Sequence, residues 1–165
     1  MSNLQADLID KYFEYNLWAN TEMLKICSTL SDAQLKTTIE GTAGNIRKTL
    51  EHLIGSESYY LYHISGELLW DSDEEDWSGK TMAELLEMAQ TSGTKLLAHA
   101  SQADPHVRHD RVIDIGPYHF FNWTSMLQTI YHGIEHRTQI KMMLTKLGVE
   151  HPELAAWDFR MEQYP

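Results

Sequence analysis

At 165 residues the chain has the length of one ordinary domain, residues 1–165, and is too short for two linked enzymatic domains. Its 42% hydrophobic content, with five Trp and eight Tyr, is enough to fold around one core, and its formal charge of -11 sets it against nucleic-acid phosphates and anionic membrane surfaces. A single cysteine, Cys27, excludes an internal disulfide; with no basic-then-apolar leader and no bilayer-length apolar run, the expectation is a cytoplasmic protein.

Apolar residues at steps of three and four predict a first helix over about Asp7 to Leu30, with Leu8, Tyr12, Tyr15, Ala19, Met23, Ile26 and Leu30 on its inner face. A Ser31-Asp32 break and a loose stretch bracketed by Gly41 and Gly44 follow. The period then resumes with Ile46, Leu50, Leu53, Tyr60, Leu61 and Ile64, a second helix ending near Gly66. The segment Asp71 to Asp76 holds five acidic residues in six and reads as a hydrated connection. Thr81 and Glu84 have the spacing of a capping box and open a third helix that runs to about Ala100. From Pro105 to Phe121, β-branched and aromatic residues around Gly116-Pro117 describe a long crossover with room for a short hairpin. After Asn122 comes a fourth helix with an inward stripe of Met126, Ile130, Ile140, Met143, Leu144 and Leu147, stopped by Gly148. The tail from Pro152 to Gln163 predicts one short helix with Leu154, Ala155 and Trp157 turned inward. The fold class expected is all-α, a four-helix bundle with a long crossover between the third and fourth helices.

Nine histidines are many for this length, and two of them, His132 and His136, stand four apart in the fourth helix, in line with its apolar stripe. Buried imidazoles need partners for both ring nitrogens and cannot both be charged side by side. One metal ion satisfies both rings, but a tight site needs a third ligand from another helix. The second helix offers His52 near its centre. His63 is the rival, about 16 Å further along the axis and unable to share an ion with His52. The competing reading of His132 and His136 is a pair of hydrogen-bonded core histidines. Surface positions are expected for His63, His99, His106, His109, His119 and His151, and a packing role for Cys27, which has no basic neighbour in sequence. Gly41-Thr42-Ala43-Gly44 lacks the Gly-Lys-Ser/Thr of a phosphate loop.

Tyr15-Asn16-Leu17-Trp18-Ala19-Asn20, Thr49-Leu50-Glu51-His52-Leu53 with Glu57, and His132-x-x-x-His136-Arg137-x-Gln139 together resemble the DinB/YfiT-like metalloenzymes over nearly the whole chain. The resemblance implies an antiparallel bundle, often a homodimer, with a divalent metal such as zinc or nickel on His52, His132 and His136. It also implies activities that include transfer of a low-molecular-weight thiol to an electrophilic small molecule, and no DNA binding. Thr138 and Glu135 depart from the family pattern, and Glu135 adds a negative charge near the ligands.

A three-histidine site with an open coordination position suits a metal-dependent transferase or hydrolase acting on a small-molecule substrate. Ser56, Tyr59 and Gln139 share helix faces with the ligands and are candidate pocket or ligand-supporting groups. Two other readings compete: a non-enzymatic, stress-related metal-binding dimer whose ion only joins two helices, and a metal-free helical interaction module.

Overall fold

The computed structural model describes residues 4–71, 76–102, 111–115 and 118–163. The protein is predominantly helical: α1 (Leu4–Cys27), α2 (Asp32–Leu35), α3 (Ile46–Ser65), α4 (Met82–Ala100), α5 (Asn122–Lys146) and α6 (Ala156–Gln163), with one 3-10 turn at Trp77–Gly79. Among the described residues, no helix is long and apolar enough to cross a membrane.

Local chemistry sets most of these ends. Thr81 and Glu84 form the expected capping box on α4, each satisfying a backbone N–H that the first turn leaves free. Ser31 and Gln34 form a second box, so the Ser31-Asp32 break is the start of the one-turn α2. Asn45 caps α3 by accepting from the Lys48 N–H. Asp76, at the end of the acidic run, accepts from the Ser78 N–H and caps the 3-10 turn; residues 72–75 of that run lie outside the described residues. Arg47 secures this turn to α3, donating to the Trp77 and Lys80 carbonyls at 3.0 and 2.7 Å and to Glu51 at 2.6 Å. The crossover does form a hairpin: β1 (Val112–Ile115) pairs antiparallel with β2 (Tyr118–Phe121), although Gly116-Pro117 lies outside the described residues. Gly148, at φ +66°, ends α5 with a left-handed conformation that costs a residue with a Cβ about 1 kcal/mol or more.

The core consists of two apolar layers. One holds Met23, Leu24, Cys27, Ile46, Leu50, Ile54, Leu85, Ala89, Ile140, Met143 and Leu144, and the other holds Phe13, Leu61, Ile64, Leu96, Ala100 and Met126. Between them lies a buried polar belt: Asn16 and Asn20 from α1, Glu57 from α3, Ser92 from α4, and Thr129, His132, His136 and Arg137 from α5. The order in which each helix crosses these layers gives its direction. α1 and α5 run one way and α3 and α4 the other, so α1 lies antiparallel to its neighbour α4, and α3 to α5, while the neighbours α3 and α4 are parallel. A parallel pair needs a connection that travels back along the molecule; it falls between Ser65 and Met82, where residues 72–75 lie outside the described residues.

Two expectations about inward faces need correction. Leu8 and Tyr12 are 54% and 51% exposed, and the buried face of α1 is Phe13, Asn16, Ala19, Asn20, Met23, Leu24 and Cys27. Because two inward positions carry asparagines, the apolar pattern drifts onto the flank. In the tail Leu154 is buried, but Trp157 is 76% exposed. Phe159 instead covers the α1 rings, with its centroid 5.5 Å from Trp18 and 6.1 Å from Tyr15.

Candidate metal centre

α5 presents two faces to the belt. His132 and His136, one turn apart, are both buried and look toward α3, where His52 meets them from the more exposed side. The Nε2 of His132 is 3.1 Å from the Nε2 of His52 and 3.0 Å from that of His136, and the three lie within 4.8 Å of one another. Nitrogens held by one tetrahedral ion at about 2.0–2.1 Å stand about 3.3 Å apart, so this triangle has the scale of a ligand set.

Proton bookkeeping points the same way. The Oε1 of Gln139 accepts from the Ala43 N–H at 3.2 Å and lies 2.9 Å from the Nδ1 of His136, so that Nδ1 carries the proton and Nε2 presents a bare lone pair. Gln139 therefore supports a ligand, as its spacing suggests. The centre of the triangle has no built-in charge to satisfy three inward nitrogens: a proton shared by two of them leaves the third facing a lone pair. Burial, followed by the neighbouring His136, His52 and Arg137, pushes the His132 pKa down to about 3. Burial and His136 also lower that of His52, against a smaller upward pull from the Glu135 carboxylate. Both shifts hold His52 and His132 in the neutral form near pH 7, the form that ligates metals.

The other face of α5 meets a different cluster. Glu57, wholly buried, accepts from the Asn16 and Asn20 side-chain amides at 2.7 Å each on Oε1 and from the Ser92 hydroxyl at 2.8 Å on Oε2. Arg137 donates through Nη1 to the Oδ1 of both Asn16 and Asn20, so two amides bridge the buried anion to the buried cation. Burial raises the Glu57 pKa and lowers that of Arg137, while the hydrogen bonds and the opposite charge act against both shifts. Gly133 makes the close approach possible, since a Cβ there would stand 2.6 Å from both Arg137 Nη1 and Asn16 Oδ1. Asn16, Asn20, Glu57 and Arg137 were visible in the sequence only as parts of the family pattern, and Ser92 not at all. Their local signal is the pair Asn16 and Asn20, one turn apart on a helix that needs an apolar inner face.

Tyr59 and Ser56 do not join the triangle; Tyr59 is 48% exposed and its ring packs on His63 at 4.4 Å. Tyr60, which spacing did not single out as a site residue, turns its ring edge to His132 at 5.6 Å. His63 is half-buried instead of on the surface, with Nδ1 3.2 Å from the Ser125 hydroxyl. His119 is exposed, His99 and His151 are half-buried, and His106 and His109 lie outside the described residues. Cys27 is a core residue whose thiol burial pushes up to about 12.

This geometry can be set beside known proteins. The model of the DinB family matches residues 1–164. The chain belongs to the DinB family. DinB proteins are a metalloprotein family, and in this member His52, His132 and His136, which could hold a metal ion, come together. Comparison with curated proteins yields no match.

Proposed function

We propose that this DinB protein is a metal-dependent enzyme in which His52, His132 and His136 hold a divalent ion, zinc or nickel, and that it transfers a low-molecular-weight thiol to an electrophilic small molecule. The observation that carries the metal reading is the set of three inward Nε2 atoms, one fixed in tautomer by Gln139, with no group among the described residues to satisfy them all. A divalent ion on three imidazoles keeps a coordination position open and brings a bound thiol or water toward its anionic form near neutral pH. His52 supports the open-site reading, because its exposure lets a small molecule approach from the α3 side. Gln139 keeps the His136 ring aimed, Tyr60 walls the His132 side, and Cys27 is sealed in the core, so the thiol comes from a cosubstrate.

We read the helices as one four-helix-bundle domain of a cytoplasmic homodimer. Trp123, Leu127, Tyr131 and Ile134, exposed in steps of four and three along α5, support pairing with a second copy. A net charge of -11 speaks against nucleic acid as a partner.

Protein purified without a polyhistidine tag is expected to carry one ion per chain after dialysis, and His52→Ala, His132→Ala and His136→Ala to lose it. Loss of a small thiol is then followed with a panel of electrophiles on loaded and metal-stripped protein. Thiol consumption only when loaded is the expected result; no difference removes the transferase reading. The ligands also come from two helices, α3 and α5, which favours a second reading in which the ion only joins them. That reading expects a higher melting temperature on loading with no turnover.

A further inference from the structure

His63 lies outside the metal triangle, yet it is built like a binding group. Its Nδ1 faces the Ser125 hydroxyl at 3.2 Å, and Ser125 is buried in the early turns of α5. This anchors the ring through Nδ1, and among the described residues Nε2 makes no protein hydrogen bond. The anchor is in register with the triangle: Ser125 precedes His132 by seven residues, two helical turns, so both lie on the α5 face toward α3, about 10 Å apart along the axis.

Between them stands one ring, that of Tyr60, and further rings surround His63. From His132 the path passes to Tyr60 at 5.6 Å, from Tyr60 to His63 at 6.5 Å, and from His63 to Tyr59 at 4.4 Å and Phe120 of β2 at 5.6 Å. Beyond His63 a cleft of about 260 Å³ opens between the end of α3 and β1, with Tyr62, Arg111, Ile113 and Asp114 in its walls. Arg111 fixes this end, donating to the Ile64 carbonyl at 2.6 Å and the His63 carbonyl at 3.3 Å.

We infer that His63, held by Ser125, is a distal substrate-binding group, and that the substrate is an elongated small molecule: a metal-binding head at the triangle, an apolar or aromatic middle along Tyr60, and a hydroxyl-type end on His63. The inference rests on the metal reading for its first anchor. A hydroxyl suits the far end because it donates to Nε2 in one imidazole tautomer and accepts from it in the other. His63 here binds and orients; it takes no part in bond making.

The test uses probes that need no thiol chemistry. A homologous series of linear alkanohydroxamates, from chains too short to reach His63 to chains longer than the span, is titrated into zinc-loaded protein, each member ending in either methyl or hydroxyl. The hydroxyl is expected to improve affinity about tenfold, and only at intermediate lengths that match the span. His63→Ala and Ser125→Ala are expected to bind zinc as the parent does and to lose that gain, while His63→Gln, which keeps a donor and an acceptor, retains part of it. A hydroxyl gain absent at every length, or undiminished in a folded, zinc-loaded His63→Ala, overturns the inference and leaves the metal reading standing. Failure of the parent protein to take up zinc overturns both.

Discussion

Two buried polar clusters share one turn of α5 and could hardly be more different in how their atoms are satisfied. On the α1 side, both oxygens of Glu57 are filled by three donors, and Asn16 and Asn20 pass the interaction on to Nη1 of Arg137, whose buried Nη2 has no hydrogen-bond partner among the described residues. On the α3 side, three imidazole nitrogens face one another, and the Nδ1 of His132 is buried with no partner among the described residues. A buried anion joined to a buried cation through shared amides specifies a packing arrangement. Three facing Nε2 atoms cost stability that an ion at their centre would offset, whereas the Nδ1 of His132 points elsewhere and keeps its cost. The first cluster belongs to the architecture of this protein; the second is where the proposed ion would sit.

The sharpest way to break this contrast is a pair of substitutions read on two scales. His132→Ala is expected to abolish retention of zinc after dialysis while leaving the metal-free protein as stable as the parent or more so, because an unsatisfied buried ring is gone. Metal analysis and thermal melting check the two halves. Glu57→Gln is expected to do the reverse, keeping the three histidines but leaving Arg137 without its buried counter-charge. The loss is about 3 kcal/mol, or about 6–12 °C in melting temperature for a chain of this size. Adding Arg137→Met to Glu57→Gln should cost less than the sum of the two single changes, which a double-mutant cycle measures. Gly133→Ala, which places a methyl 2.6 Å from Arg137 Nη1 and Asn16 Oδ1, is expected to cost about 2 kcal/mol by denaturant titration.

Acid should separate the clusters more gently. With its pKa near 3, folded His132 holds fewer protons than the unfolded chain between about pH 3 and 6.5, so its contribution is complete above 6.5 and is lost as the pH falls. Urea midpoints of metal-free protein are expected to fall across that window, at most about 1.4 kcal/mol per pH unit from this ring. Zinc should delay the fall, since bound imidazoles resist protonation. A flat profile for the metal-free protein would show that the triangle is not as desolvated as its geometry requires.

The sequence disclosed the histidine side of the belt better than the glutamate side. Two imidazoles interrupting an apolar stripe are conspicuous, and His52 follows from its place at the centre of a facing helix. Asn16 and Asn20 gave the opposite effect. They hid the true inner face of α1, so its periodicity pointed to Leu8 and Tyr12, which are exposed. Helix limits were legible wherever a cap fixes them, as Thr81 and Glu84 do. The parallel course of α3 and α4 was not, because an acidic connecting segment reads as solvated chain whether it turns back or travels the length of the molecule. His63 was read as a rival ligand or a surface residue because a residue near a helix end takes its surroundings from the β2 strand and α5, elements distant in sequence.

The unequal wetness of the three rings would set how the proposed cation comes and goes. Arriving from bulk solvent, it would encounter position 52 before the two sunken partners, and leaving it would have to pass that ring again. Chelators and competing ions would then negotiate the same doorway, and exchange speed would depend on the rotamer at position 52 more than on the interior.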